Sequence, residues 1–323
     1  MTRVAAIDCG TNSIRLLVAD ADPATGELVD LDRRMTIVRL GQGVDRTGRL
    51  APDALDRTFA ACREYAAIVK EHGAERLRFV ATSASRDAEN RDEFVRGVLD
   101  ILGVEPEVIS GDQEAEFSFT GATKELTGRD GLAKPYLVVD IGGGSTEFVV
   151  GEDQVRAARS VDIGCVRMTE RHLVHDGVVS DPPAPEQIEA IRADIEAALD
   201  LAEESVPLRE ARTLVGLAGS VTTVSAIAQD LPEYDSEAIH HSRVSYDRVR
   251  EITERLLSAT HAERAAIPSM HPGRVDVIGA GALVLLSVME RIGADEVVVS
   301  EHDILDGIAY KVAEEVEAGK QGD

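Results

Sequence analysis

Two stretches of the chain concentrate the residue types that bind phosphate and metal. They are Asp8-Cys-Gly-Thr-Asn-Ser-Ile-Arg15 and Asp140-Ile-Gly-Gly-Gly-Ser-Thr-Glu147. Laid over one another without a gap as far as Val18 and Val150, they coincide at aspartate, glycine, serine and the final valine. A glycine-rich turn exposes backbone N–H groups, and small residues let a phosphate approach them closely. Asn12, Ser13, Gly142, Gly143, Gly144 and Ser145 are therefore candidate phosphate contacts, with the two serine hydroxyls as additional donors. Asp8 and Asp140 each end an apolar run and would repel a phosphate unless a cation lay between. They suggest a metal, Mg²⁺ with several waters retained, or Mn²⁺ in its place. The simpler alternative is a hairpin whose Asp and Gly serve only turn geometry, which two matching turns make harder to sustain. Neither turn is a Walker loop or a dinucleotide Gly-x-Gly-x-x-Gly.

Arg15 and Glu147 occupy equivalent places and carry opposite charge. Arg15 would hold phosphate and Glu147 would bind metal or orient water; a buried salt bridge between the halves is the alternative. In Ser110-Gly-Asp-Gln-Glu-Ala115 a capping box accounts for Ser110 and Gln113, and acids in a first helical turn suit the helix dipole. That explains Asp112 and Gln113 better than it explains Glu114, which stays a catalytic candidate. Thr82-Ser-Ala-Ser-Arg86 lies between a strand and a helix, where phosphate sites form, and nominates Ser83 and Arg86. Gly216-Leu-Ala-Gly-Ser-Val221 is a further strand-to-helix turn, nominating Gly219 and Ser220. Pro272-Gly-Arg274 precedes an apolar helix from which Arg274 could reach a cleft. The eight histidines show no ligand spacing, and His240-His241 is expected to be a solvated loop pair. Cys9 is expected to be a small filler.

The elements that must position these residues follow from periodicity. Strands are predicted at 4–7, 14–19, within 27–40, at 77–82 and at 107–109, with helices at 53–72, 90–102 and from 112. The second half starts alike, with strands at 137–141, 146–150 and 155–161. Helices follow at 166–175 and 185–204, a strand at 213–217, helices at 220–228, 245–259 and 275–292, a strand at 296–299 and a closing helix at 303–317. A β-β-β-α start in both halves, together with the matching turns, predicts two related α/β domains facing each other across a cleft.

At 323 residues two domains are expected. A net charge of −25 excludes generic nucleic-acid or anionic-membrane binding, since both need a basic face. An aromatic content of 3% without tryptophan disfavours base stacking as well. A polyanionic substrate would then need a local cluster of cations, and arginine, far commoner here than lysine, suits bidentate phosphate contacts. Three separated cysteines imply neither a disulfide framework nor zinc. The sequence opens on a strand with no signal peptide, and the longest apolar run, 277–289, is too short to span a bilayer. A cytoplasmic protein is expected, ordered except at 319–323.

Taken together the motifs resemble the exopolyphosphatase/guanosine pentaphosphate phosphohydrolase (Ppx/GppA) family. The matching stretches are Ala6–Val18, Ala81–Asn90, Ile109–Ala115, Val139–Glu147, Gly216–Thr223 and Pro272–Ala282, in the family's order over almost the whole chain. The resemblance implies two actin-like domains of the actin–hexokinase–Hsp70 superfold, each with a β-β-β-α-β-α type mixed sheet: residues 1–125 joined by helix 303–318, and 126–302. It implies an exopolyphosphatase that releases terminal phosphate from inorganic polyphosphate. Guanosine pentaphosphate is the alternative substrate, which would tie the chain to the stringent response. Glu114 would activate water and Glu147 would assist. Arg15, Arg86 and Arg274 would converge on substrate phosphates, with Asp8 and Asp140 near the metal. The length is similar to the short two-domain form of actinobacteria; a homodimer is an open alternative. Cys9 replaces a commoner aliphatic residue, and Asp112-Gln113 stands where many members have an acidic pair. A kinase of the same superfold and a non-catalytic polyphosphate or nucleotide sensor are the remaining readings.

Overall fold

The computed structural model describes residues 1–22, 25–124, 126, 131–175 and 177–321. They fall into two compact units, Met1–Lys124 with Asp303–Asp323, and Glu125–His302. In the first, strands β1 (Thr2–Cys9), β2 (Ser13–Asp22) and β3 (Glu27–Ile37) form an antiparallel meander. Then come α1 (Val44–Thr47), α2 (Pro52–His72), β4 (Arg76–Ala81), α3 (Ser83–Asp87), α4 (Arg91–Leu102), β5 (Glu107–Val108) and α5 (Gly111–Thr123). The sheet order is β3-β2-β1-β4-β5, with β4 parallel to β1 and β5 parallel to β4.

Alternation along the strands decides which layer each side chain meets. Ala5, Ile7 and Cys9 share a core with Leu55, Cys62 and Tyr65 of α2 and Phe94 and Val98 of α4. Val4 and Ala6 of β1, with Leu17 and Ala19 of β2, share a second core with Ile304, Leu305, Ile308 and Val312 of the closing helix. Burial on both faces is why β1 reads as an unbroken apolar run and not as alternation. By the same parity Asp8 and Arg15 belong to the closing-helix face.

The second unit repeats the plan with β6 (Tyr136–Ile141), β7 (Thr146–Gly151) and β8 (Val155–Val161), then α6 (Cys165–Leu173), the small hairpin β9 (Val174–His175) and β10 (Val178–Val179), and α7 (Pro185–Glu203). Next are β11 (Thr213–Leu217), α8 (Ala218–Ala228), α9 (Ser236–Ile239), β12 (Arg243–Ser245), α10 (Tyr246–Ser258), α11 (His261–Ala265), α12 (Ile278–Ile292) and β13 (Glu296–Val299). The last helix, α13 (Ile304–Gln321), belongs to the first unit. The second sheet runs β12-β13-β11-β6-β7-β8, so β8-β7-β6-β11-β13 reproduces the order β3-β2-β1-β4-β5 and β12 is an added antiparallel edge. Both sheets are mixed α/β sheets with the expected β-β-β-α start.

Several local expectations are corrected. The helix expected over 166–175 stops at Leu173, where β-branched Val174, Val178 and Val179 pair as a hairpin and Gly177 takes φ 78°. The helix expected from 275 starts at Ile278, after a 3₁₀ turn at Pro272–Arg274 that Pro272 opens. The tail expected to lack order at 319–323 is helical through Gln321, and positions 322 and 323 lie outside the described residues, as does the expected boundary residue at 125. Among the described residues no helix is long and apolar enough to cross a membrane.

Candidate active site

Register gathers the candidate residues at one edge of each sheet. In the first unit Cys9 pairs with Ala81 and Ala81 with Val108, so β1, β4 and β5 end level with one another. The segments that leave these ends are Gly10–Ser13, Thr82–Arg86 and Ser110–Glu114. In the second unit Asp140 pairs with Leu217 and Gly216 with Val299, which sets Gly142–Ser145 beside Ala218–Ser220. Ligand sites of open α/β sheets form at such carboxyl ends.

The two glycine turns are the same structure. Gly10 donates to the Ser13 carbonyl at 2.9 Å, and Gly142 donates to the Ser145 carbonyl at 3.1 Å. The Thr11 and Asn12 carbonyls accept from the backbone at 38–41, including Gly41 N–H at 2.9 Å and Arg39 N–H at 2.9 Å. Their counterparts, Gly143 and Gly144, are held by the start of α6. The Gly143 carbonyl accepts from Val166 N–H at 2.9 Å, and the Gly144 carbonyl accepts from Arg167 Nε at 2.7 Å. In a trans peptide the C=O and the following N–H point opposite ways. With these carbonyls turned toward their anchors, the amides of Asn12 and Ser13, and of Gly144 and Ser145, face the other side. Convergent amides of this kind make an anion-binding concavity. A Cβ at Gly41 would overlap the Thr11 side chain, and one at Gly164 the Gly143 backbone, so each turn is abutted by a residue that must be small.

Across the first turn Thr11 Oγ1 and Ser83 Oγ hydrogen-bond at 2.9 Å, tying the turn to the start of α3. Arg86, at the end of α3, donates from Nη1 to the Ile109 carbonyl at 3.0 Å and to Glu114 Oε2 at 3.3 Å. Glu114 is buried in the first turn of α5, whose N-cap is the expected Ser110–Gln113 capping box. An acid there is favoured by the helix dipole. The structure thus joins Ser83, Arg86 and Glu114 on adjacent segments.

Arg15 departs from its expected position. It does not stand as an open phosphate ligand. Nε and Nη2 donate to Asp8 Oδ2 at 3.1 and 2.7 Å, and Nη1 donates to Asp303, the residue before α13. The reason is strand parity, which turns Arg15 toward the closing helix. Burial would lower the Arg15 pKa, but the Asp303 and Asp8 carboxylates outweigh it and hold it well above its ordinary value. Burial pushes the Asp8 carboxyl up against the pull of Arg15, whereas in Asp303 the Arg15 charge outweighs burial and leaves the carboxyl low. Nothing in the sequence near residue 303 marked this aspartate beyond its place before a helix.

In the second unit the position equivalent to Arg15 is Glu147, directly opposite Asp140 on the antiparallel ladder. Side chains so paired stand about 4.5–5.5 Å apart at Cβ. Both carboxylates are buried, and Ser160 Oγ donates to Glu147 Oε1 at 2.7 Å. Two hard oxygen donors abreast fit an ion such as Mg²⁺, which needs one or two carboxylates and keeps its waters. Asp8 fits less well, because its Oδ2 already serves Arg15. Among the described residues no three His, Cys, Asp or Glu side chains form a ready-made cage.

Gly219 and Arg274 meet in this unit, since a Cβ on Gly219 would overlap the Arg274 guanidinium. Ala218 just before it holds φ 65°, a strained conformation for a residue with a side chain, of the kind that clusters at functional sites. Ser220 is buried against Gly281, where a Cβ would overlap its hydroxyl. Arg15 and Arg86 lie in the first unit and Arg274 in the second. His240 and His241, expected to be solvated, are half-buried, with ring centroids 3.6 Å apart and His302 4.5 Å from His240. Loop composition does not reveal such a cluster of tilted rings. Cys9 is fully buried, as a filler would be.

The sequence model of the Ppx/GppA phosphatase family matches residues 17–315. Exopolyphosphatase 2 of Mycobacterium tuberculosis is 53% identical over 97% of this chain and 99% of its own length. The crystal structure of an exopolyphosphatase-like protein shares 44% identity and a TM-score of 0.92, covering 98% of this chain and all of that one. A guanosine-5'-triphosphate,3'-diphosphate pyrophosphatase of Aeromonas hydrophila is 29% identical over 95% of this chain, which spans 58% of that protein. With its paired glycine turns and this agreement along nearly its full length, the chain belongs to the Ppx/GppA phosphatase family.

Proposed function

We propose that the chain is a cytoplasmic exopolyphosphatase that releases orthophosphate from the end of inorganic polyphosphate, with Glu114 orienting the attacking water. The observation that carries this reading is Glu114 itself: a buried carboxylate in the first turn of α5, within 3.3 Å of an Arg86 nitrogen. The carboxylate can accept the proton of a water lined up with the scissile bond, while Arg86 stands beside it to neutralise phosphoryl charge. The amides and hydroxyls of Asn12, Ser13, Gly143, Gly144 and Ser145 supply preorganised donors for phosphate oxygens. Positioning and charge stabilisation of this kind account for most of the catalysis in phosphoryl transfer. Asp140 and Glu147 would hold Mg²⁺ or Mn²⁺, with Asp8 a weaker claimant; the ion, when bound, screens phosphate charge from the surrounding carboxylates. In the second unit Arg274, resting on Gly219, would supply a further cationic contact, and Ser220 a hydroxyl.

The test is orthophosphate release with Mg²⁺ and no nucleotide, comparing short polyphosphate, long polyphosphate and guanosine pentaphosphate. Glu114→Gln keeps the shape and removes the base, so kcat is expected to fall by about 10²–10⁴-fold, the usual contribution of a general base. An unchanged rate would overturn the assignment. Faster release from guanosine pentaphosphate would favour the substrate named for the Aeromonas hydrophila relative. Phosphate transfer requiring a nucleotide would favour a kinase, and binding without turnover a sensor.

A further inference from the structure

The short segment that opens α13 meets both Arg15 of β2 and the backbone of α5. The Asp303 side chain takes Arg15 Nη1 on one oxygen and Leu305 N–H, at 3.0 Å, on the other. Its backbone N–H donates to Asp306 Oδ2 at 2.9 Å, and fully buried Asp306 also pairs with Arg33 of β3. Its carbonyl lies against α5, where a Cβ on Gly121 would overlap it. One turn further on, a Cβ on Gly307 would overlap the Phe117 carbonyl of the same helix. Two glycines thus let α13 and α5 run backbone against backbone. Glu114 sits on α5, and Arg15 lies opposite Asp8 at the first turn. Asp303 is 3% exposed, so this contact is not a surface ion pair of negligible worth.

We infer that Asp303 is a positioning residue for phosphate release, holding Arg15 in place across from Asp8 and fixing that pair relative to the helix that carries Glu114. Arg15 has one long, flexible side chain and two carboxylates to serve. Without Asp303 the guanidinium has a single anchor and can swing about Asp8, displacing the carboxylate that borders the turn. Small misplacements at a reacting centre are costly, on the order of 10²-fold for 1 Å. The inference rests on the proposed phosphatase reaction.

Asp303→Asn separates positioning from helix capping, because asparagine caps a helix about as well as aspartate but offers Arg15 no charge. In the wild-type background kcat/KM for phosphate release is expected to fall by about tenfold or more, together with a lowered thermal midpoint, because the buried Arg15 loses one of its two carboxylate partners. In an Arg15→Gln background the same change should alter kcat/KM less than twofold, since residues that act through one another are non-additive. Should Asp303→Asn fail to fold, Asp303→Glu, which retains the charge and moves it by one methylene, is read by the same cycle. Equal losses in both backgrounds, or wild-type kinetics in Asp303→Asn, would overturn the inference while leaving the functional reading intact. A wild-type chain that released phosphate from no substrate would overturn both.

Discussion

Gly219→Ala isolates one cationic contact without touching the cation. The added methyl would occupy the space now filled by the Arg274 guanidinium. Gly219 has no positive φ, so alanine meets no backbone strain there, and within α8 it favours the helix by up to about 1 kcal/mol. The obstructing atoms are the far end of a flexible side chain, which can move away cheaply. Folding should therefore be unaffected or slightly improved, while Arg274 is displaced from the turn. A hydrogen bond from a charged group is worth about 1.5–3 kcal/mol, which at 1.36 kcal/mol per decade is roughly a 10- to 150-fold loss of kcat/KM. Steady-state phosphate release with polyphosphate, beside a thermal melt, gives both numbers. Arg274→Ala should show a similar loss, and the double variant little more than either alone. Wild-type kinetics in Gly219→Ala would remove Arg274 from the substrate contacts. A large fall in thermal stability would instead mean that the guanidinium is a structural plug.

Three further outcomes are expected. Burial raises all three thiol pKa values, that of Cys62 to about 12, so Cys9, Cys62 and Cys165 should resist a thiol reagent at pH 8 in the native protein and all react in guanidinium; rapid native labelling would contradict the packing. Gly307→Ala should force α13 from α5 at about 1–3 kcal/mol, lowering the melting temperature by roughly 2–10 °C, and an unchanged melt would refute the close approach. Partial burial pulls the Asp194 carboxyl up, but hydrogen bonds with His172 and Arg171 outweigh it and leave it below its ordinary value. Its folded pKa lies below the unfolded one, so the stability it contributes is present above about pH 4 and lost as pH falls through the lowered value. Denaturation of Asp194→Asn should differ from wild type most at pH 7, and the gap should narrow steadily as pH falls below about 4; a gap that does not narrow would contradict the shift.

The sequence revealed most where chemistry depends on local pattern. The capping box at Ser110 and Gln113 is local, and it appears where spacing placed it. The gapless overlay of the two turns is local too, and the paired Gly10 and Gly142 hydrogen bonds bear it out. Arg15 was legible only in part. Its strand and its register with Asp8 follow from the hairpin, but its second partner lies 288 residues away and arrives with the last helix. Strand parity could have shown that Asp8 and Arg15 share a face; it could not have said what covers that face. The same limit applies to His302 beside His240 and to Gly219 beneath Arg274, where the contacts come from distant segments.

The repeated turn also shows how one scaffold can be specialised by a single position. Both halves carry a buried aspartate one residue before the end of their first strand, close the turn with the same glycine-to-serine hydrogen bond, and anchor the same two carbonyls to the segment after their third strand. The residue facing the aspartate then differs. Opposite Asp8 an arginine neutralises the carboxylate internally, and a second aspartate, Asp303, is brought in to hold that arginine. Opposite Asp140 stands a glutamate, which adds negative charge to the ladder. Buried like charges side by side repel unless a proton or cation joins them. An internal cation makes the first turn a fixed wall with little need of metal; an added acid makes the second a place where a divalent ion has the larger electrostatic effect. Exchanging the two designs should therefore exchange the metal demand. Glu147→Arg is expected to raise the Mg²⁺ concentration needed for half-maximal phosphate release by tenfold or more, or to abolish release, at roughly the energy of one lost charge pair in a buried site. Mg²⁺ dependence identical to wild type would assign the ion to Asp8 and reverse the roles of the two turns.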